Sequence, residues 1–126
     1  MDNNSAKSIW NFDQSRMMDL NYRMVLCENA FEIWDLHTIS INLHTIRRIV
    51  SGALEDTEWD KVKEEFDKLE EIKREMDSSK DSDHEKNTIK YYNKADEIFI
   101  QLNRLMQKNG FFFRKGNDPR FAALRR

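Results

Sequence analysis

His37 and His44 are the side chains of this sequence best suited to binding a transition metal. They belong to a near repeat, because Leu-His-Thr-Ile occurs at residues 36–39 and again at residues 43–46. Seven residues apart on a helix, the two histidines would share a face, with Cα atoms about 10 Å apart along the axis. Zinc needs ligand bonds of about 2 Å, so this spacing favours two polar histidines at the edge of a helical face over a zinc site.

Carboxylates at helical spacing form a second candidate site. Asp67 and Glu70 are three residues apart, and so are Asn93 and Asp96 further along the chain. This layout resembles that of the MazG-type nucleoside triphosphate pyrophosphohydrolases, all-α enzymes that bind magnesium through Glu-x-x-Glu on one helix and Glu-x-x-Asp on a later one. Asp67 and Asn93 stand where that pattern has glutamates. The resemblance implies a magnesium-dependent nucleotide pyrophosphohydrolase with these four side chains as ligands.

Other catalytic chemistries lack their residues. Glycine occurs only at Gly52, Gly110 and Gly116, which leaves no glycine-rich loop to bind phosphates. The turn motifs of serine hydrolases and thiol proteases are missing as well. The single cysteine, Cys27, falls in an apolar helical stripe, which predicts a buried inert thiol and a reducing compartment. We therefore expect a non-enzymatic protein without catalytic residues, cofactor or bound metal.

The segment of residues 111–126 combines aromatic and basic side chains. Three phenylalanines, Phe111, Phe112 and Phe113, are consecutive, so at least one of them is expected in solvent or on a partner. Residues 107–126 carry a charge balance of +5, and basic residues interleaved with Phe are typical of nucleic-acid-binding surfaces. In the alternative, the phenylalanines pack back onto the protein and the basic residues stay solvated. The expected nucleic-acid contacts are the basic side chains of this segment: Arg114, Lys115, Arg120, Arg125 and Arg126.

The most apolar stretch of the sequence, Asp13 to Val50, is predicted to be helical, because it contains no glycine or proline and its apolar residues recur at helical spacing. Its first half carries one apolar stripe at helical spacing, consisting of Met17, Leu20, Met24, Cys27, Phe31 and Trp34. Its second half carries another stripe, consisting of Leu36, Ile39, Leu43, Ile46 and Val50. At about 100° per residue, the two stripes point roughly a third of a turn apart. The stretch is therefore either one helix of about 60 Å or two helices broken near Asp35, with Asp35 as N-cap of the second.

Two further helices are predicted after Ser51 and Gly52, which supply a C-terminal stop signal. The first, residues 57–77, has a narrow apolar stripe: Trp59, Val62, Phe66, Leu69, Ile72 and Met76. Residues 77–87 contain no apolar side chain and are expected to form a mobile loop that includes His84. The second helix, residues 88–109, has a wider apolar face: Tyr91, Tyr92, Ala95, Ile98, Phe99, Leu102, Leu105 and Met106.

The predicted fold is all-α, an antiparallel up-and-down bundle of three long helices, or of four if the first is split near Asp35. The bundle domain comprises residues 13–110, between a polar segment of residues 1–12 and the basic aromatic tail of residues 111–126. With 126 residues and a net charge of −2, the chain can build one modest core. No apolar run approaches the about 20 residues of a membrane span and the N-terminus is not a signal peptide, so we expect a cytoplasmic protein without membrane contact.

The leading functional hypothesis is a helical interaction or assembly protein that self-associates and binds partner proteins. A continuous first helix would leave apolar surface that two shorter helices cannot cover, which predicts a homodimer. Its expected contact residues are Leu36, Ile39, Leu43 and Ile46, with Phe111, Phe112 and Phe113 as second candidates. A split helix would instead give a four-helix monomer with little apolar surface exposed. A nucleic-acid-binding accessory protein is the second hypothesis, and the magnesium-dependent pyrophosphohydrolase is the third.

Overall fold

The protein forms four α-helices in a computed structural model that describes residues 10, 11 and 13–108. In chain order they are α1 (Gln14–Glu32), α2 (Leu36–Ala53), α3 (Asp56–Ser78) and α4 (Asp81–Lys108). Within these residues there is no strand, and an isolated bridge joins Trp10 to Leu54. The prediction of an all-α bundle is confirmed, and of its two forms the chain adopts the one with four helices.

The break in the first predicted helix lies at residues 33–35. Asp35 is the N-cap of α2, and its carboxylate accepts hydrogen bonds from the Thr38 backbone nitrogen (3.1 Å) and the Thr38 hydroxyl (2.6 Å). These bonds satisfy an amide that the first turn of a helix leaves without a partner. They also hold the pKa of Asp35 below its ordinary value. Of the two alternatives that the sequence left open, the chain adopts the break with Asp35 as N-cap of the second helix.

Consecutive helices run antiparallel and form two hairpins that share one core. Helix α1 packs along α2 and α3 packs along α4, while α2 also contacts α3 and α4. The two stripes of the first predicted helix face this common core, because the break turns α2 back along α1. The buried residues of the two stripes are Leu20, Met24, Cys27 and Phe31 on α1, and Ile39, Leu43, Ile46 and Val50 on α2. The helices of the second hairpin contribute these buried residues: Val62, Phe66 and Leu69 on α3, and Tyr91, Ala95, Ile98, Phe99, Leu102, Leu105 and Met106 on α4. Trp10, Ala30, Ala53 and Leu54 belong to the same core.

This packing contradicts three of the predicted dimer contacts. Ile39, Leu43 and Ile46 are only 0–2% exposed, so a second chain could contact their side chains only if the bundle opened. Leu36 is half-buried against the same core. The prediction assumed a continuous first helix, and the break at residues 33–35 removes that premise.

Two predicted helix boundaries are also wrong. Helix α2 passes through Ser51 and Gly52 and ends at Ala53, since Leu54 takes an extended conformation there. Only residues 79 and 80 separate α3 from α4. Most of the stretch predicted as a mobile loop, residues 81–87, is therefore the first two turns of α4, and residues 77 and 78 are the end of α3. The Lys80 carbonyl accepts from the backbone nitrogens of Asp83 and His84, both at 2.9 Å. Acidic side chains at a helix N-terminus interact favourably with the helix dipole, so these turns form without apolar contacts.

Trp10 joins the described part of the N-terminal segment to the bundle. Its side chain is 5% exposed, and its indole Nε1 donates a hydrogen bond to the Leu105 carbonyl at 3.1 Å. Trp10 also forms an isolated antiparallel bridge with Leu54. Among the described helices, none combines the length and the apolar content needed to cross a bilayer.

Candidate interaction surface

The corner between α1 and α2 has an unusual residue in its tight turn. After α1 ends at Glu32, the Trp34 nitrogen donates to the Phe31 carbonyl (3.3 Å) and the Asp35 nitrogen donates to the Ala30 carbonyl (2.9 Å). These two bonds form a Schellman motif, whose left-handed position usually holds glycine. Trp34 occupies that position with φ of 58°, the only positive φ of a non-glycine residue in the described part of the chain. A bulky side chain there costs about 1–2 kcal/mol in backbone strain.

The ring of Trp34 lies flat against Tyr92 of α4. Their centroids are 3.8 Å apart and the ring planes differ by 11°. Tyr92 also meets the edge of Phe31 at 5.3 Å, and its hydroxyl donates to the Phe31 carbonyl at 2.9 Å. That carbonyl is one of the helix-end acceptors of α1, so Tyr92 and the Trp34 nitrogen both cap α1. The aromatic contacts therefore hold the indole in one orientation.

A patch of large apolar side chains is exposed around this corner. Ile33 is 73% exposed, Trp34 is 54% exposed and Ile89 is 44% exposed. Ile89 lies one turn before Tyr92 on the same face of α4. We call Ile33, Trp34, Ile89 and Tyr92 the corner patch. The sequence pattern predicted that Trp34 would continue the apolar stripe of α1. Half of the Trp34 surface is exposed instead, because α1 ends two residues before this position.

Helix lengths explain why the described chain covers Ile89 only in part. Helices α1 and α2 have 19 and 18 residues, whereas α3 and α4 have 23 and 28. Tyr92 meets the α1–α2 corner from a point eleven residues into α4. The first turns of α4 therefore extend about 16 Å beyond that corner.

A groove between α2 and α3 is the second candidate site. It has a volume of about 420 Å³, with Leu43, Phe66, Leu69 and Tyr91 as apolar lining. Tyr91 is buried, and this burial raises the pKa of its hydroxyl. Such a volume is within the range of small-molecule pockets.

Arg47 closes one end of this groove and is already paired. Its guanidinium binds Asp67 at 2.8 Å and Glu70 at 2.5 Å, and it lies 5.6 Å from the centroid of Phe66. Hydrogen bonds from Arg47 and then from Lys63 hold the pKa of Asp67 below its ordinary value. With two carboxylates on one guanidinium, the groove offers no free cation at this end for an anionic ligand.

The same pairing bears on the magnesium hypothesis. Asp67 and Glu70 direct oxygens to Arg47, whereas Asn93 and Asp96 lie on α4, where Asn93 is exposed. No group of three or more His, Cys, Asp or Glu side chains within residues 10, 11 and 13–108 is arranged to hold a metal ion. The sequence spacing does not translate into converging ligands here, because a cation from α2 already occupies the α3 carboxylates.

The histidines and the cysteine lie apart from one another. His37 and His44 are both exposed on α2, and His84 is exposed on α4. Cys27 is fully buried in α1, and burial raises the pKa of its thiol to about 12. The prediction of a buried thiol is confirmed, and such a thiol is a poor nucleophile at neutral pH.

The tail residues predicted for a dimer contact or for nucleic-acid binding lie outside the described residues: Phe111, Phe112, Phe113, Arg114, Lys115, Arg120, Arg125 and Arg126. Sequence reasoning missed Ile33 and Ile89 as surface residues. The apolar stripe changes direction near Trp34, and this change indicated where the corner lies. The sequence did not indicate that Tyr92 of α4 stacks on Trp34, because the two residues are far apart in the chain.

We compared the chain with protein-family models, with curated proteins and with solved structures, and no match was found in any of the three.

Proposed function

We propose that this protein is a non-enzymatic interaction protein that binds its partner through the corner patch. The observation that carries this proposal is Trp34. It is held in a left-handed backbone conformation, and it presents half of its indole to solvent. Backbone strain of this kind occurs where the surrounding structure enforces it, and it concentrates at functional sites.

The side chains of the patch match the composition of energetically important interface residues. Trp and Tyr are enriched among the residues that contribute most to binding, and they act best when they are already fixed in the bound conformation. Stacking at 3.8 Å holds the Trp34 ring against Tyr92 before any partner arrives. A partner that covers Ile33 and Trp34 would therefore lose little side-chain entropy on binding.

The groove between α2 and α3 is less favourable as the principal site. Its acidic and basic lining residues are already in ion pairs, since Arg47 binds Glu70 and Lys73 binds Asp77 at 3.0 Å. A charged ligand that binds these side chains would have to replace the ion pairs. The corner patch needs no such rearrangement.

The proposal is tested by recovering binding partners with three proteins: wild type, Trp34→Ala and Ile100→Ala. Ile100 is the control, because it is also a partly exposed large apolar side chain, 42% accessible, but it lies on α4 about 12 Å beyond Tyr92 and outside the corner patch. We expect wild type and Ile100→Ala to recover the same proteins by chemical cross-linking and mass spectrometry, and Trp34→Ala to lose them. Recovery of one and the same set by all three proteins would overturn the proposal.

A further inference from the structure

The corner patch is bordered by acidic side chains. On α4, Glu85, Ile89, Tyr92 and Asp96 lie within about 60° of one another around the helix axis, so both carboxylates share the face of the patch. Asp35 adds a third carboxylate from the corner itself. An apolar centre flanked by these three charges is complementary to a basic partner.

The lysines of α4 do not neutralise this face. Lys90 binds Glu75 at 3.4 Å and Lys94 binds Glu65 at 2.6 Å, so both side chains are directed to α3. Lys86 is exposed about a quarter of a turn from the middle of the face. Two corner patches placed face to face would bring like charges together, which disfavours a symmetric dimer through this surface.

Residues 111–115 of this same chain have the required chemistry. They are three consecutive phenylalanines followed by Arg114 and Lys115. Aromatic side chains would pack on Ile33 and Trp34, and the two cations would face the carboxylates of α4. We propose that the corner patch of one copy binds residues 111–115 of a second copy; this inference rests on the proposed function and names its partner.

Distance requires that the two segments belong to different copies. From Tyr92 to Lys108, α4 runs sixteen residues away from the corner patch, a separation of about 24 Å. Five residues from Lys108 to Phe113 span at most about 17 Å even when fully extended. Phe111, Phe112 and Phe113 therefore cannot all lie on the corner patch of their own chain. Reciprocal exchange between two copies closes the assembly as a dimer.

Two variants of the full chain test this arrangement by complementation. Trp34→Ala removes the indole of the corner patch and leaves the tail unchanged. The triple variant Phe111→Ser, Phe112→Ser, Phe113→Ser removes the aromatic side chains of the tail and leaves the corner patch unchanged. In sedimentation equilibrium we expect wild type to reach twice the 15.2 kDa chain mass, and each variant alone to remain at the chain mass. An equimolar mixture of the two variants should form a heterodimer, with an affinity reduced because one contact replaces two.

The charges provide a second measurement that leaves the core intact. Glu85 is exposed, so Glu85→Lys should preserve folding, checked by circular dichroism, and weaken wild-type association about tenfold, an effect that added salt should diminish. Ile100→Ala is the control and should associate like wild type.

The outcomes separate this inference from the proposed function. If the triple phenylalanine variant dimerises alone and Trp34→Ala does not, the tail is not the partner, although the corner patch remains an interface. If Trp34→Ala dimerises like wild type, the corner patch does not bind the tail of a second copy, and the proposed function is decided by the cross-linking test alone. A wild-type chain that stays monomeric at every concentration overturns the exchange of tails and leaves the proposed function to the cross-linking test.

Discussion

Trp34 occupies a backbone conformation that normally belongs to glycine, and replacing it with glycine and with alanine separates backbone strain from side-chain packing. Both substitutions remove the stack on Tyr92. Only glycine also removes the steric cost of a positive φ. We therefore expect Trp34→Gly to be more stable than Trp34→Ala, although glycine in general makes a folded chain less stable.

The magnitudes follow from the geometry. Loss of the aromatic pair costs about 0.5–1.5 kcal/mol. Loss of the buried half of the indole, roughly 100 Å², adds at most about 2.5 kcal/mol. Glycine relieves the strain of the left-handed conformation, which stabilises the fold by about 1–2 kcal/mol relative to alanine. The greater conformational freedom of glycine in the unfolded chain offsets about 0.5–1 kcal/mol of this gain. The free energy of unfolding of Trp34→Gly should thus exceed that of Trp34→Ala by about 0.5–1 kcal/mol, and both variants should be less stable than wild type.

Ile33 gives a matched control one residue earlier. It is exposed, and its φ of −112° is accessible to any residue, so glycine has no strain to relieve there. Ile33→Gly should be less stable than Ile33→Ala by about 0.5–1 kcal/mol. The sign of the glycine–alanine difference should therefore reverse between two adjacent positions.

Urea unfolding followed by circular dichroism measures both pairs of variants. In a domain of this size, a difference of 1 kcal/mol also shifts the melting temperature by about 4 °C. Should glycine be destabilising relative to alanine at both positions and by the same amount, Trp34 would not hold a strained backbone, and the argument for the corner patch would lose its main support.

Three further predictions concern other parts of the molecule. Because burial raises the pKa of the Cys27 thiol to about 12, the native protein should resist thiol reagents at pH 8, and an unfolded-like reaction rate would contradict the buried position. Replacing Arg47 with Met should raise the pKa of Asp67 towards its ordinary value, as followed by NMR titration. The ion pair of Asp67 with Arg47 stabilises the fold fully at a pH above the pKa of Asp67 in the unfolded chain. This stabilisation is lost as the pH falls through the lower pKa of Asp67 in the folded protein. If the basic tail binds nucleic acid, the logarithm of affinity for duplex DNA should fall with the logarithm of salt at a slope of about −0.9 per phosphate contact, and deletion of residues 111–126 should flatten it; no binding at low salt would exclude this hypothesis.

The sequence predicted the helical regions, and it gave the break between α1 and α2 as one of two alternatives, because both depend on local patterns. The apolar stripe changed direction between Trp34 and Leu36, and Asp35 had the side chain of an N-cap. The beginning of α4 was predicted as a loop, although residues 81–87 are helical. These residues are all polar, so the sequence shows no apolar residues at helical spacing there.

The candidate site was harder to predict because it depends on distant contacts. Trp34 stacks on a ring 58 positions further along the chain, and Ile89 is exposed only because α1 and α2 are shorter than α3 and α4. In the same way, the carboxylate spacing at Asp67 and Glu70 could not reveal that Arg47 from α2 binds both. Helical spacing identifies residues on one face, but it does not identify their neighbours.

The contact of Trp10 with α4 has a consequence for how the chain folds. Its hydrogen bond to the Leu105 carbonyl joins residues 95 positions apart, near the two ends of the described chain. Closing so long a loop carries an entropy cost, which makes such contacts slow to form compared with the local α1–α2 and α3–α4 hairpins. During synthesis, Trp10 therefore leaves the ribosome long before its acceptor exists, and the bundle can bury its indole only after α4 is nearly complete.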